Sequence, residues 1–372
     1  MKILFISPNA GLAGAQVLLL NLLQHLKSNN KDVKFDLILE DGGILLDEYK
    51  NQCRTFLKRK SIKSKNPFIS LFYKIYFKMK GYDIIYSYTI LNGNTLHDLS
   101  FLKKPVISHI HEMKFWIEKS GTDNTQKVIK YSDYYIAASN SVKNVLVQEL
   151  QLSPNIIDVI YEYTDINSLV KNQKSLKKLL NIENDAIIIG GCGAEDYRKG
   201  KDLFVKIAEL FLSKELSLNV YFVWIGGTLR DETKEFWENS PHKSKIHFLD
   251  QFVGARDYFG DFDVFLMTSR EDPFPVVNLE VGALGKPIIS FAESGGTYEL
   301  LSFCPELLVY NWNLQEMADI VERLLRDHKL RKALGLLIKS EIENKYTIEK
   351  IAPSIVTLIE SKINEYNRLA CH

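Results

Sequence analysis

The sequence predicts an α/β protein made of two Rossmann-like domains, each built on a parallel sheet. Short apolar, β-branched runs alternate with helical or irregular segments from residue 3 to 161, and again from 186 to 310. That alternation is what parallel strands joined by crossover helices require. Between the two series, residues 162–180 turn polar and lysine-rich, as an interdomain linker would. Late in the second series, Asp263–Thr268 is a short apolar run, S-R-E-D-P-F-P is a polar break, and Pro275 stands where a first-turn proline starts a helix. Gly285, Lys286 and Pro287 stop that helix before the apolar run Ile288–Phe291, which completes a strand, loop, helix, strand unit.

In chain order, Ile3–Ile6 is the first strand, Pro8–Gly14 a glycine-bearing loop and Val17–Leu26 a helix. Further strands are expected at Asp83–Tyr88, Val106–His111, Tyr134–Ala138 and Ile156–Tyr161, closing a first domain of residues 1–163. The second domain, residues 164–346, takes strands at Ala186–Gly190, Val220–Ile225, Lys245–Phe248, Val264–Met267, Pro287–Phe291 and Leu307–Tyr310, then helical patterns over Leu314–Glu343. The final stretch Ile348–Asn367 reads as one more helix, in a closing helical segment of about 347–372.

With 372 residues, 46% hydrophobic and 25% charged, the chain can bury two ordinary cores. A formal charge of +1 gives no global nucleic-acid signal. Cys53, Cys192, Cys304 and Cys371 form no C-x-x-C pair, so neither a zinc site nor a disulfide framework is indicated, and a reduced cytosol fits. The apolar core of M-K-I-L-F-I-S-P is too short for a secretory signal. No apolar stretch approaches the roughly 20 residues of a membrane span, so a cytoplasmic protein is expected.

In an open α/β sheet, ligands sit beyond the carboxyl ends of the strands, which directs attention to four places. The loop Glu271–Pro275 should line a site, with free amides of the following helix beside it. Glu280 has Val276, Val277, Ala283 and Leu284 as helical neighbours, and a carboxylate on that stripe needs either a protein donor or a ligand's hydroxyls. His109 and His111 point to the same side of one strand. Two histidines without a third ligand make a poor metal site, and His109 suits a core histidine with a backbone partner. The segment G-C-G-A-E-D-Y-R-K-G brings Arg198 and Lys199 past a strand end, where fixed cations could stabilise a departing anion. Asp261-Phe262-Asp263 spells D-x-D, but it precedes its strand and so lies at the wrong end for ligand binding. The loop after Ile3–Ile6 lacks G-x-G-x-x-G, against a nicotinamide or flavin cofactor.

Asp272, seven intervening residues and Glu280, within S-R-E-D-P-F-P-V-V-N-L-E and continuing to G-K-P-I-I-S-F and G-G-T-Y-E, resemble the E-x7-E signature of the family 4 retaining glycosyltransferases, with Asp in the first place. The resemblance implies a GT-B fold: a first domain holding the acceptor, a second holding a nucleotide-sugar donor, a cleft between them, and a last helix returning to the first domain. It implies that Glu280 binds ribose hydroxyls, and that Asp272 with the amides of Phe274, Val276 and Val277 holds sugar and phosphate. Lys199, in a match to G-R-x4-K-G, stabilises the diphosphate; the arginine's place is Ala194, and Arg198 could supply the second charge. His111 with Glu112 stands at the family's catalytic His-Asp position. Gly14, Ala15 and Gln16 loosely match a G-G-A-E phrase near the donor phosphate, and Glu299 follows Gly295-Gly296 near the donor. No metal is expected. Alternatives are a sugar-nucleotide epimerase or hydrolase of similar fold, and a non-catalytic sugar-nucleotide-binding protein. Finally, residues 54–80 carry nine Lys or Arg and no Asp or Glu, interleaved with Phe and Tyr. Such a face suits an anionic membrane surface, and the resemblance, to a family whose members often extend glycans on membrane-held lipid carriers, then implies a peripheral enzyme acting on a glycan, lipid-linked glycan or other hydroxyl acceptor; otherwise the aromatics enter the core and the lysines are solvated.

Overall fold

In a computed structural model that describes residues 1–370 apart from 215 and 230, the chain divides into two compact units. One comprises Met1–Tyr163 and the chain from Ile348 onward; the other is Thr164–Thr347. Cys371 and the end of the predicted closing segment lie outside the described residues.

The first unit is built on β1 (Lys2–Ser7), β2 (Lys34–Leu39), β3 (Arg54–Leu57), β4 (Ile84–Tyr88), β5 (Val106–Ile110), β6 (Tyr134–Ala137) and β7 (Ile157–Val159). They pair in parallel in the order β3-β2-β1-β4-β5-β6-β7. The second holds β8 (Ile187–Cys192), β9 (Val220–Ile225), β10 (Ile246–Leu249), β11 (Val264–Met267), β12 (Ile288–Phe291) and β13 (Leu308–Val309), also parallel, in the order β10-β9-β8-β11-β12-β13. Helices cover both faces of such sheets, so central strands such as Ile3–Ile6 are wholly buried and read as unbroken apolar runs. Strand order reverses at β1/β4 and at β8/β11, and the loops leaving those strands' carboxyl ends are the places a doubly wound sheet offers to ligands.

Three expectations change. β2 and β3 were not foreseen: β2 opens on Lys34-Phe35-Asp36, and β3 is an edge strand with none of its residues fully buried, so neither shows a clean apolar run. Residues 162–180 are not a linker. Glu162 and Tyr163 are buried, and helices Ile166–Lys171 and Leu176–Leu180 anchor through the fully buried Leu169 and Leu176, leaving Lys171, Lys174 and Lys178 in solvent. The first helix runs Gly14–Asn29, starting three residues before its apolar pattern. The closing helix, Ile348–Ala370, buries Ile355 and Ile359, sets Lys362 4.2 Å from the Tyr134 ring centroid and accompanies the first unit.

Candidate active-site residues

In the second unit, the loops leaving β8 and β11 are joined into one structure. Asp196 accepts from the Arg198 amide (2.9 Å) and shapes a 3-10 turn, Tyr197–Lys199. The Arg270 amide donates to the Arg198 carbonyl (2.7 Å), and the Arg270 guanidinium grips Asp202 with two bonds of 2.7 and 2.6 Å while lying 3.9 Å from the centre of the Tyr197 ring. Gly200, at φ +68°, is required: a Cβ there would lie 1.9 Å from the Thr268 carbonyl oxygen. On the far side, the Asp272 amide donates to the Ser294 carbonyl and Gly296 donates to that of Asp272. A Cβ on Gly296 would lie 1.9 Å from the Pro273 oxygen.

This bracing brings Asp272, Lys199 and Arg198 together. Lys199 Nζ lies 2.5 Å and an Arg198 guanidinium nitrogen 3.4 Å from Asp272 Oδ2, and Ser269 Oγ donates to the same oxygen at 3.1 Å. Side chains of adjacent residues ordinarily diverge, but here the long arginine turns back on its 3-10 turn, donates to the Glu271 carbonyl (2.5 Å) and reaches the carboxylate its neighbour holds. Burial pushes the Asp272 carboxyl up, but the charges of Lys199 and Arg198 and the bonds from Lys199 and Ser269 outweigh it and hold the group below the usual carboxylate range. The helix Val276–Ala283 then starts at Pro275, which is its N-cap rather than its first residue and supplies no side-chain cap. Phe274 is buried against Tyr346, with ring centres 5.3 Å apart.

Glu280 does not lie on the deepest face of that helix. The buried residues are Asn278, Leu279, Val281, Gly282 and Ala283, while Val276 and Val277 are half-buried. Its carboxylate, 12% exposed, meets the Arg256 guanidinium at 3.5 Å. Burial pushes it up to about 7, against the pull of Arg256. Glu299 lies in the first turn of Gly296–Leu301.

In the first unit, His111 follows β5, and its Nδ1 lies 2.5 Å from Oε1 of Glu162. Sequence reasoning missed Glu162 by assigning it to a linker. Burial drives His111 down to about 3 and Glu162 well above its usual range. His111 Nε2 is buried with no hydrogen-bond partner. Glu112 accepts from the amides of Ile90 and His111, both at 3.0 Å, and burial raises it to about 7. His109 is a core histidine, but its partner is the Tyr86 hydroxyl at 2.9 Å, not a backbone group. Gly14 opens the first helix without a side-chain cap from Ala13, and Gln16 Oε1 is buried without a partner.

Asp261 accepts from Ser175 Oγ (2.9 Å) and the Lys177 amide (3.0 Å), and Asp263 from the Ile188 amide (3.0 Å), so the D-x-D carboxylates satisfy the starts of the helix Leu176–Leu180 and of β8, at the amino edge of the sheet. Among the described residues, no group of three or more His, Cys, Asp or Glu is arranged to hold a metal ion.

The basic, aromatic stretch splits in two. Lys58 is withdrawn from any surface role: it is 5% exposed and bonded to Glu40 (3.0 Å), Asp98 (3.1 Å) and Thr95 (3.2 Å). Lys63 also engages Asp98, at 2.9 Å. The helix Pro67–Met79, capped by Asn66, buries Phe77 but leaves Phe68, Leu71, Phe72, Ile75 and Met79 in solvent, with Phe68 81% and Met79 82% exposed. At 3.6 residues per turn those five fall on one stripe opposite Phe77, and the exposed Lys74 and Lys78 run along one edge of it. No helix among the described residues is long and apolar enough to cross a membrane.

Comparison with known proteins bears on this geometry. The family model described as "Glycosyl transferases group 1" matches residues 183–327. The Escherichia coli O-antigen biosynthesis glycosyltransferase WclY is 30% identical over 135 residues, 36% of each chain. The Staphylococcus aureus capsular polysaccharide biosynthesis glycosyltransferase CapM is 23% identical over 62% of each. The chain thus spans less than two thirds of the length of these curated relatives. In three dimensions, Anabaena HepE, solved in complex with UDP and glucose, superposes with a TM-score of 0.79 at 18% identity, covering 97% of this chain and 100% of its own. The chain therefore has the GT-B fold of two Rossmann-like halves, and over residues 183–327 it is similar in sequence to the group 1 glycosyltransferases.

Proposed function

We propose that this protein is a retaining glycosyltransferase that moves a hexosyl or N-acetylhexosaminyl group from a nucleotide-sugar donor to a hydroxyl of a glycan or lipid-linked glycan. The observation that carries this is the convergence of Lys199, Arg198 and Asp272 at the reversal of strand order between β8 and β11. As the bond from the sugar's anomeric carbon to the diphosphate oxygen breaks, negative charge grows on the leaving oxygens, the acceptor hydroxyl's oxygen bonds to that carbon, and the hydroxyl proton passes to the departing diphosphate. Fixed cations favour that change over the ground state. Lys199 leaves Asp272 to meet the diphosphate, and Arg198 stands in for the arginine absent at Ala194. Asp272 and the amides of Phe274, Val276 and Val277 hold sugar and phosphate. Pro273 and Pro275 offer no N–H, so this cradle has fewer donors than a glycine-rich one. Glu280 exchanges Arg256 for ribose hydroxyls; the roles of Glu299 and Gly14 in contacting the donor, and of His111 in orienting the sugar, rest on the family resemblance. Retention rests on the E-x7-E-like spacing of Asp272 and Glu280. The two named relatives act, by their names, in O-antigen and capsular polysaccharide biosynthesis, which favours a glycan acceptor.

The exposed stripe of Pro67–Met79 favours work at an anionic lipid surface, with Phe68, Leu71, Phe72, Ile75 and Met79 entering the headgroup boundary and Lys74 and Lys78 meeting lipid phosphates. A panel of nucleotide sugars, screened by thermal stabilisation and then for nucleoside diphosphate release with and without glycan acceptors, tests the reading. Stabilisation with acceptor-dependent release supports it. Release that ignores acceptors points to the hydrolase or epimerase, and binding without turnover to the binding protein.

A further inference from the structure

We infer that Glu162 is the positioning residue of His111: it holds the imidazole with its proton on Nε2, so that the two side chains present a single hydrogen-bond donor to the sugar. The inference deepens the transferase reading and rests on it. Nδ1 and Oε1 are 2.5 Å apart, and the side chains are 5% and 3% exposed. The ring cannot turn freely. His109 and Tyr88 lie against it with ring centres at 4.0 and 4.2 Å, and the His111 amide is fixed by Glu112. Glu162 is fixed in turn by its place after β7 and by Tyr163, whose hydroxyl donates to the Leu18 carbonyl at 2.8 Å.

Proton counting supplies the rest. When one proton lies between Nδ1 and Oε1, whichever atom it sits on, the remaining imidazole proton must be on Nε2. Burial disfavours the separated charges and keeps that proton in the pair. If the pair loses it, Glu162 becomes a carboxylate accepting from Nδ1–H, and Nε2 becomes a bare acceptor. Nε2 has no protein partner, and an unmade bond at a buried donor costs free energy that an arriving oxygen recovers. Because Nε2 is out of reach of solvent, a ligand engages it only with a local opening around the ring. The other titratable groups facing this pair are Glu112, His109, Tyr86, Tyr88 and Tyr163. Burial pushes the tyrosines up and His109 down, so Glu112 is the neighbour whose charge changes near neutrality. It is retained in every variant below.

The test uses the full chain, with nitrogen-15 NMR of the His111 ring beside steady-state kinetics across pH. Glu162→Gln keeps the shape and donates an amide N–H to Nδ1; Glu162→Ala removes the partner. The expected result is the Nε2–H tautomer in wild type and Glu162→Gln, and its loss in Glu162→Ala. Turnover should fall about tenfold or more in Glu162→Ala with KM changed far less, and recover in Glu162→Gln. Glu162→Gln should also lose the part of the alkaline decline that the pair causes. An Nδ1–H tautomer in wild type, or Glu162→Gln no better than Glu162→Ala, overturns the inference. The NMR result stands whether or not any donor is turned over, so failure of the transferase reading is seen separately, as no donor binding and no turnover.

Discussion

The His111–Glu162 pair of the first unit and the Asp272 cluster of the second are buried to nearly the same degree, yet they rest in opposite charge states. Glu162 has one weakly basic imidazole for company and is driven toward its neutral form. Asp272 has a lysine, an arginine and a serine hydroxyl, and stays ionised despite its burial. Burial alone therefore does not decide whether a carboxyl carries charge; the number of fixed donors that share its desolvation does. The first arrangement suits holding a neutral donor toward a sugar, and the second suits meeting a charge that appears during reaction.

The sharpest way to break this contrast is to remove the principal cation. Lys199→Ala should lower kcat by about 100-fold or more, because the diphosphate loses its fixed charge. It should also cost about 1 to 3 kcal/mol of stability in chemical denaturation, because Asp272 keeps only Arg198 and the Ser269 hydroxyl. In wild type the depressed Asp272 contributes stability above the ordinary carboxylate value, and that stability is lost as pH falls through the lower folded value. The acid limb of the denaturation profile should flatten in the variant. A variant with wild-type turnover would remove Lys199 from the mechanism.

On the other side of the contrast, His111→Ala should reduce kcat more than it raises KM, since the donor it removes acts on the reacting sugar. Equal loss in binding would make it an ordinary contact.

Glu280 lies between the two cases, raised to about 7 with one distant cation. Ribose hydroxyls bind the carboxylate best, so donor affinity should rise with pH through about 7 and release a proton, seen as buffer-dependent heat in calorimetry. In Glu280→Gln that dependence should vanish, and donor binding should weaken by about 1 to 3 kcal/mol. The unliganded protein should show the reverse trend: the raised value contributes stability below the ordinary value of 4.5, lost as pH rises through about 7.

The smallest effects belong to the surface and to metal. Changing Phe68, Phe72 and Met79 to Ser, or Lys74 and Lys78 to Gln, should weaken sedimentation with anionic liposomes while leaving the melting temperature near wild type. Binding to neutral vesicles as strongly as to anionic ones would remove the electrostatic part of that reading. Activity should persist in EDTA, because the D-x-D carboxylates are already spent on backbone amides.

Much of this was legible in the chain. Wholly buried strands such as Ile3–Ile6 and Val264–Met267 are apolar throughout and are readable without a partner in view. β3 was not, because an edge strand half in solvent has no such run. Asp272 and Glu280 share one local unit, so their spacing could be read directly. Glu162 could not: its meaning depends on His111, 51 residues earlier, and a glutamate in a polar stretch is ordinarily solvated. Lys58 failed for the same reason in reverse, since only the fold brings Glu40 and Asp98 around it. The convergence of Arg198 and Lys199 needed the 3-10 turn, which Asp196 imposes and no periodicity announces.

The closing helix Ile348–Ala370 gives the protein an order of birth. The first unit is begun before the second and finished after it, while the second unit, Thr164–Thr347, is continuous in the chain and is complete sooner. During synthesis the first sheet must therefore wait, with the side of the helix Gly14–Asn29 that the closing helix covers still bare, until the second unit and the helix after it have been made. A released chain ending at residue 347 should hold a protease-resistant second unit beside a sensitive first one, although the first was translated earlier.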